Sequence, residues 1–269
     1  MKTLEYDETA TRQLVAVYLA PDVVAQREQV LYALQPLPGE RVLDVGAGPG
    51  LLACAIAERV APTGGVAGID ISEPLLAWAR AHSPAGLDID YRQGDATCLP
   101  FDDASFDAVV STQVLEYVAD VDAAIAELAR VARPGGRILV LDTDWDSIVW
   151  ASPDDALTAR VLAAWEAHAP HPRLPRTLAR RLRAAGLEVE VQQVIALFNP
   201  RPTEDCYSFR MIELIASFVG SNRGVDATGW AQQMREFARR GDGFFSLNRY
   251  LFVARRPLVV RQAASSLSP

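Results

Sequence analysis

The sequence predicts an α/β protein with a doubly wound, mostly parallel sheet, and three observations carry that prediction. Short β-branched and aliphatic runs alternate with helical segments, the pattern of a parallel sheet covered by helices on both faces. Four of the runs stop at or just before an acid: Asp44, Asp70, Asp95 and Asp142. The first run, Val42-Leu43-Asp44-Val45, leads into Gly46-Ala47-Gly48-Pro49-Gly50 and then into residues 51–57 at helical period, which reads as strand, tight turn, helix.

That turn is a nucleotide-binding turn. Glycines accept backbone angles that other residues avoid and bring no Cβ near a ligand, and the next helix offers its free N–H groups. In such sheets the ligand lies outside the carboxyl ends of the strands. A single carboxylate there is also an ordinary helix cap; four in corresponding places point to a ligand.

The elements follow in order. Residues 9–20 are helical in pattern, and Pro21 opens a second helix that runs to about Gln35, where Pro36-Leu37-Pro38-Gly39 stops it. On that helix Val23, Val30, Leu31 and Leu34 make an apolar stripe, and Arg27 falls on the same stripe. It calls for an anion there, or snorkels to water along its stem. The second strand is Val66-Ala67-Gly68-Ile69-Asp70, whose Asp70 stands 26 residues after Asp44, the place from which a carboxylate reaches a ribose diol. A helix over 73–81 follows, then a strand near 89–93, the turn Gly94-Asp95-Ala96, a strand over 108–111, a helix near 120–132 and a fifth strand over 137–142.

Composition narrows the partners. The 269 residues are 50% hydrophobic and 22% charged with a net charge of −8, so the chain has material for a sizeable core. It lacks the basic surface that phosphate backbones attract. Cys54, Cys98 and Cys206 form no CxxC pair, so no disulfide framework and no metal site is expected. With no apolar signal core at the start and no run of about 18 apolar residues, the expected place is the cytoplasm, without a membrane contact.

The dinucleotide pattern G-x-G-x-x-G is broken here, because the third glycine, Gly50, comes one residue early. The motifs instead resemble the class I S-adenosylmethionine-dependent methyltransferases, in the branch that includes ubiquinone and menaquinone biosynthesis enzymes. The resemblance rests on residues 42–50, Gly68-Ile69-Asp70-Ile71-Ser72, Gly94-Asp95-Ala96, Leu99-Pro100-Phe101, Ser105-Phe106-Asp107 and Arg133-Pro134-Gly135-Gly136, in this order and spacing. It covers residues 40–142, and it implies a Rossmann-like sheet of seven strands with an antiparallel last strand. It further implies that Gly46, Ala47 and Gly48 lie against the methionine part of S-adenosylmethionine, with Asp44 behind them. Asp70 then takes the ribose hydroxyls, Ile71 and Leu75 flank the adenine, and Asp95 with Gly94 and Ala96 reads its edge. Gln113 holds the methionine end. Tyr18 and Arg27, from the N-terminal helices, are the candidates for covering the site and pairing with the methionine carboxylate.

Beyond Asp142 the signature fades. Helices are expected over 153–168 and 175–185, a strand over 187–197, a helix over 205–219, another over 229–240 and a last strand over 244–254. The 205–219 helix is apolar most of the way round, so it either covers an apolar ligand as a lid or packs as core. The division expected is residues 1–39 as N-terminal helices over the cofactor, 40–150 as the cofactor-binding core, 151–260 as the rest of the sheet with a helical cap at about 203–240, and 261–269 as a disordered tail. Methyl transfer from a sulfonium is an in-line displacement in which alignment supplies much of the rate. Where the acceptor carries a proton, Glu116, Tyr117 and Asp144 are the candidate bases. Trp145, Tyr207 and Met211 are the candidate acceptor contacts, while His168 and His171, beside Pro170 and Pro172, read as loop residues. The expected activity is methylation of carbon, nitrogen or oxygen on a small aromatic or apolar metabolite of natural-product type. A nicotinamide-dependent oxidoreductase and a non-catalytic S-adenosylmethionine-binding protein stand as alternatives, and a homodimer is left open.

Overall fold

The computed structural model describes residues 8–220 and 224–258; the expected tail at 261–269 lies outside them. Two helices, α1 (Glu8–Tyr18) and α2 (Pro21–Leu34), precede β1 (Arg41–Val45), α3 (Leu51–Val60), β2 (Gly65–Asp70), α4 (Glu73–His82), β3 (Ile89–Gln93) and β4 (Phe106–Thr112). Then come α5 (Val121–Val131), β5 (Ala132–Thr143), β6 (Val149–Trp150), α6 (Asp155–Trp165), α7 (Pro175–Ala184), β7 (Glu188–Asn199), α8 (Tyr207–Gly220), α9 (Ala227–Arg239) and β8 (Phe245–Arg255).

The long strands lie in the order β3-β2-β1-β4-β5-β8-β7, with β3 to β5 parallel and β8 antiparallel to both neighbours. This is the seven-stranded sheet expected. The two-residue β6 adds an eighth strand, pairing Val149 with Ser246 and Trp150 with Phe245 beyond the end of β5. The strand order reverses between β1 and β4, which opens the crevice at their carboxyl ends.

Local chemistry explains the elements. Asp120 caps α5 by accepting from the Ala123 N–H at 3.0 Å, and Val121, Ala124, Ile125, Leu128 and Val131 are all buried. Asp154 caps α6 and Asp226 caps α9 in the same way. Residues 133–136 bulge out of the β4–β5 ladder, since Phe106 pairs with Ala132 but Ala108 pairs with Arg137. The strand therefore starts earlier than the sequence pattern suggests, before the Arg-Pro-Gly-Gly turn rather than after it.

Three apolar layers result. One face of the sheet packs on α5 and α7 through Leu128, Leu178 and Leu182. The other face packs on α2, α3 and α4 through Leu31, Ile56 and Leu76. The third layer lies beyond the carboxyl end of the sheet, where α6, α8 and α9 meet α1 and α2 around Trp165, Met211, Trp230 and Val17. The helix after Asn199 is held to the N-terminal region: Asp22 of α2 accepts from the Tyr207 N–H at 3.1 Å and from Asn199 Nδ2 at 2.8 Å, and Asn199 Oδ1 accepts from the Ser208 N–H.

The glycine turn is equally constrained. Gly46 has φ +76, and a Cβ there would overlap the Val114 side chain, whereas at Gly48, φ +52, a Cβ would meet nothing within 4 Å. Gly46→Ala should therefore lower stability by about 2 kcal/mol or more, through strain and overlap together, and Gly48→Ala by about 1 kcal/mol from backbone strain alone. Urea unfolding of the two variants checks that ranking; equal losses would show that Val114 moves aside freely.

Candidate active site

A cavity of about 600 Å³ opens at the crevice, a size suited to a small-molecule ligand. Each of the thirteen residues expected at the cofactor lines it: Asp44, Gly46, Ala47 and Gly48 from the end of β1 and its turn; Asp70, Ile71 and Leu75 from β2 into α4; Gly94, Asp95 and Ala96 after β3; Gln113 after β4; and Tyr18 and Arg27 from α1 and α2. The expected acceptor contacts Trp145, Tyr207 and Met211 line the same cavity.

Two carboxylates shape the glycine turn. Asp70 accepts from the Gly48 N–H and from the Ser72 N–H, each at 2.8 Å, so one side chain ties the β1 turn to the β2 turn. Its carboxyl is held above the usual range by burial, against the pull of those N–H groups. The Gly46 and Ala47 N–H groups both reach the Ile69 carbonyl, at 2.7 and 2.9 Å, which folds the turn back over β2. Asp44 is 1% exposed, and its Oδ2 has no hydrogen-bond partner among the described residues. Burial, with the Asp70 charge second, pushes its carboxyl up to about 7.

The turn after β4 carries the other polar wall. Gln113 sits at φ +58, a left-handed conformation rare for a residue with a side chain. Its N–H reaches the Leu141 carbonyl at 2.6 Å and its Nε2 donates to Thr143 Oγ1 at 2.8 Å. Asp142 Oδ1 accepts from the Val114 and Glu116 N–H groups at 3.1 and 3.4 Å. Asp142 therefore holds the turn rather than facing a ligand.

Two of the three candidate bases are displaced by the structure. Glu116 is fully buried outside the cavity lining, accepting from the Thr143 N–H and from Trp145 Nε1, both at 3.2 Å. It positions Trp145, and burial pushes its carboxyl up to about 7 although Arg249 opposes this. Asp144 also lies off the cavity: its two oxygens accept from Arg176 Nε at 2.7 Å and Nη2 at 2.9 Å, and Oδ1 also caps the turn at Asp146. A bidentate arginine leaves that carboxylate no basic role. Tyr117 does line the cavity, at its rim.

His168 was expected in a loop and is instead packed into the cavity wall. It is 5% exposed, stacks on Trp165 with ring centroids 3.8 Å apart and meets Trp145 edge-on at 4.6 Å. Its Nδ1 lies 2.6 Å from the Trp165 carbonyl, and Nε2 has no partner among the described residues. Burial lowers its pKa to about 4, so the ring is neutral near pH 7, and the Nδ1–H tautomer leaves Nε2 as an acceptor. His171 is an ordinary loop residue with its Nε2 at the Ala119 carbonyl, and His82 stacks on Trp78 at the surface.

Sequence reasoning also missed Gln26 and Arg249. Both line the cavity, at 6% and 2% exposure, and Arg249 Nη1 donates to Gln26 Oε1 at 2.5 Å. The signals were present: Gln26 interrupts the buried stripe of α2, and Arg249 falls on the same strand phase as the buried Phe245, Leu247 and Leu251.

The residues fit S-adenosylmethionine on two observations. The orphaned Asp44 oxygen is an acceptor for an ammonium, and the open space over Gly48 admits a ligand where any side chain would stand. Residues 43–140 match the methyltransferase domain model. A demethylmenaquinone methyltransferase of Thermus thermophilus is 42% identical over 122 residues, 45% of this chain and 54% of that protein. A ubiquinone biosynthesis O-methyltransferase of Sinorhizobium fredii is 34% identical over 171 residues, 62% of this chain and 66% of that protein. The chain thus spans about half to two thirds of these two relatives. Among solved structures, phosphoethanolamine N-methyltransferase 2 of Haemonchus contortus superposes with a TM-score of 0.63 at 19% identity, covering 94% of this chain and 58% of that one; this likeness concerns the fold. Residues 43–140 are a methyltransferase domain. More narrowly, the domain is of the class I S-adenosylmethionine-dependent kind, in the ubiquinone and menaquinone biosynthesis-like branch.

The Asp44 carboxyl yields a pH test. The unfolded chain releases that proton near 3.8 and the folded chain near 7, so between those values the folded state binds more protons and stability falls as pH rises. Asp44→Asn should flatten the decline of the urea midpoint across that window; an unchanged slope would show that Asp44 titrates normally.

Proposed function

We propose that the protein transfers a methyl group from S-adenosylmethionine to a small aromatic or apolar metabolite. The observation that carries this reading is a single cavity with two chemically different ends. One is the glycine turn with Asp44 and Asp70; the other is walled by Trp145, Trp165, His168, Met211 and Leu214. When bound, the sulfonium supplies an electrophilic methyl group.

The chain's own residues do the positioning. Gly46, Ala47 and Gly48 would hold the methionine part, Asp44 Oδ2 its ammonium, and Asp70 the ribose hydroxyls, with Ile71 and Leu75 beside the adenine and Asp95 at its edge. Arg27, half-buried and donating to the Tyr18 carbonyl at 2.8 Å, stands where a methionine carboxylate would pair with it. The aromatic wall would orient the acceptor for in-line attack and keep water out, which supplies much of the rate in a displacement. At the wall, Nε2 of His168, without a partner among the described residues, is a group able to receive an acceptor proton, in place of Glu116 and Asp144. Carbon, nitrogen and oxygen acceptors all fit this arrangement.

The wider setting belongs to the same reading. The acidic surface, with its net charge of −8, argues against nucleic acid as substrate, and among the described residues no helix is long and apolar enough to cross a membrane. The likeness to quinone-biosynthesis methyltransferases supports a ring-bearing acceptor. A natural-product intermediate met in the cytoplasm is the substrate type we favour.

Calorimetric titration with S-adenosylhomocysteine and with NAD tests the cofactor. Binding of the first and not the second is expected, and the reverse would overturn the reading. Asp70→Ala should weaken S-adenosylhomocysteine roughly 10- to 100-fold, as loss of a charged hydrogen-bond acceptor does; unchanged affinity would show that the β2 end is not the ribose site.

A further inference from the structure

Arg249 is the least expected residue of the cavity. A guanidinium cannot lose its charge under ordinary conditions, and burying one without a counter-charge is costly. Arg249 is 2% exposed and lines the cavity, yet no carboxylate among the described residues lies within the 4.0 Å of an ion pair. Its protein contacts are neutral: Gln26 Oε1 at 2.5 Å and Tyr207, whose ring lies 4.9 Å from the guanidinium carbon. Its Nε has no partner among the described residues.

The nearby acids do not supply the missing partner. Glu116 and Asp142 feel the Arg249 charge, but Oε1 of one and Oδ2 of the other are themselves without partners among the described residues. Both are fully buried, and the Glu116 charge raises the proton affinity of Asp142. An anion against Arg249 would give the cation a partner at hydrogen-bond distance.

Two anions are available to such a cavity, and position separates them. The methionine carboxylate of the cofactor belongs beside the β1 turn, where Arg27 stands. Arg249 lies on β8, opposite Thr143 of β5, three strands from β1 in the sheet order, so its backbone stands about 14 Å from β1 at the usual strand spacing. Tyr207 lies against it and Trp145 lines the same cavity, and both are expected acceptor contacts.

We propose that Arg249, oriented by Gln26, is the floor of an acceptor subsite for an oxyanion, so that the methyl acceptor is an aromatic acid: an apolar ring bearing a carboxylate. This deepens the function proposed above and rests on it. The aromatic wall holds the ring, and Arg249 selects among rings by charge and fixes which edge faces the β1 turn.

The test uses the full chain saturated with S-adenosylhomocysteine, with 1-naphthoate and its neutral isostere 1-naphthamide as probes, read by calorimetry. The wild type should bind the acid at least tenfold more tightly than the amide. Arg249→Gln should abolish that preference while leaving S-adenosylhomocysteine affinity within about twofold and amide affinity unchanged. Arg249→Lys should keep part of the preference. Equal affinities in the wild type, no binding of either probe, or a preference that survives Arg249→Gln would each overturn the inference. So would a matching loss of S-adenosylhomocysteine, which would assign Arg249 to the cofactor carboxylate. Should Arg249→Gln fail to fold, Gln26→Leu serves instead: it should cut naphthoate affinity severalfold and spare naphthamide, and parallel losses would overturn the subsite. Failure of the wild type to bind S-adenosylhomocysteine at all sinks the underlying function, a result read before either probe is added.

Discussion

The crevice depends on carboxylates that receive backbone N–H groups. A parallel strand that ends and turns leaves donors with no ladder partner, and buried donors must be paired. Asp70 takes those of Gly48 and Ser72, Asp142 those of Val114 and Glu116, Glu116 that of Thr143, and Asp95 that of Thr97. The bonds of Gly48, Val114, Glu116 and Thr143 run from one turn to a strand or turn beside it, while those of Ser72 and Thr97 close their own turns, so the loops at the carboxyl edge are both shaped and stitched side to side. The glycine turn, the strained Gln113 and the aromatic Trp145 are all placed by this set of bonds. Without it the cavity would have no fixed shape.

The stitching also divides labour among acids that look alike in the chain. Asp44 and Asp70 reach the cavity, while Asp142 and Glu116 lie behind it and act through the residues they hold. The difference is geometric: the first pair stand at the ends of β1 and β2, on one side of the switch point where the strand order reverses, and the second pair lie on the other side, under the β4 and β5 turns. Helix α8 shows a similar doubling of roles. It is buried against α1, α6 and α9 and still presents Tyr207, Met211 and Leu214 to the cavity, so lid and core are one object.

Much of the sheet was legible because the signals were local. Strand ends marked by acids, the glycine spacing and the Asp120 cap each depend on a few neighbouring residues, and all thirteen residues assigned to the cofactor line one cavity. The acceptor half was less legible. Asp144 reads as a free acid until Arg176, 32 residues later, is brought against it; His168 reads as a loop residue beside proline until Trp165 stacks on it; Arg249 acquires its meaning only when α2 lays Gln26 across β8. Those pairings are made by tertiary packing between distant stretches, which no periodicity records. The β6 strand was missed because two residues carry no periodic signal at all.

One bond joins the extremes of the chain. Asp22, on the second helix, caps the first turn of a helix that begins 185 residues later. The acceptor wall is therefore not a module that could be exchanged by swapping the stretch between the last two long strands, although that stretch contributes Met211 and Leu214 to it. A graft of the cap alone would arrive without the carboxylate that seats it and without the glutamine that orients the arginine beneath. In evolutionary terms, selectivity for a new acceptor has to be reached by paired change at opposite ends of the chain, with the cofactor half between them left as it is.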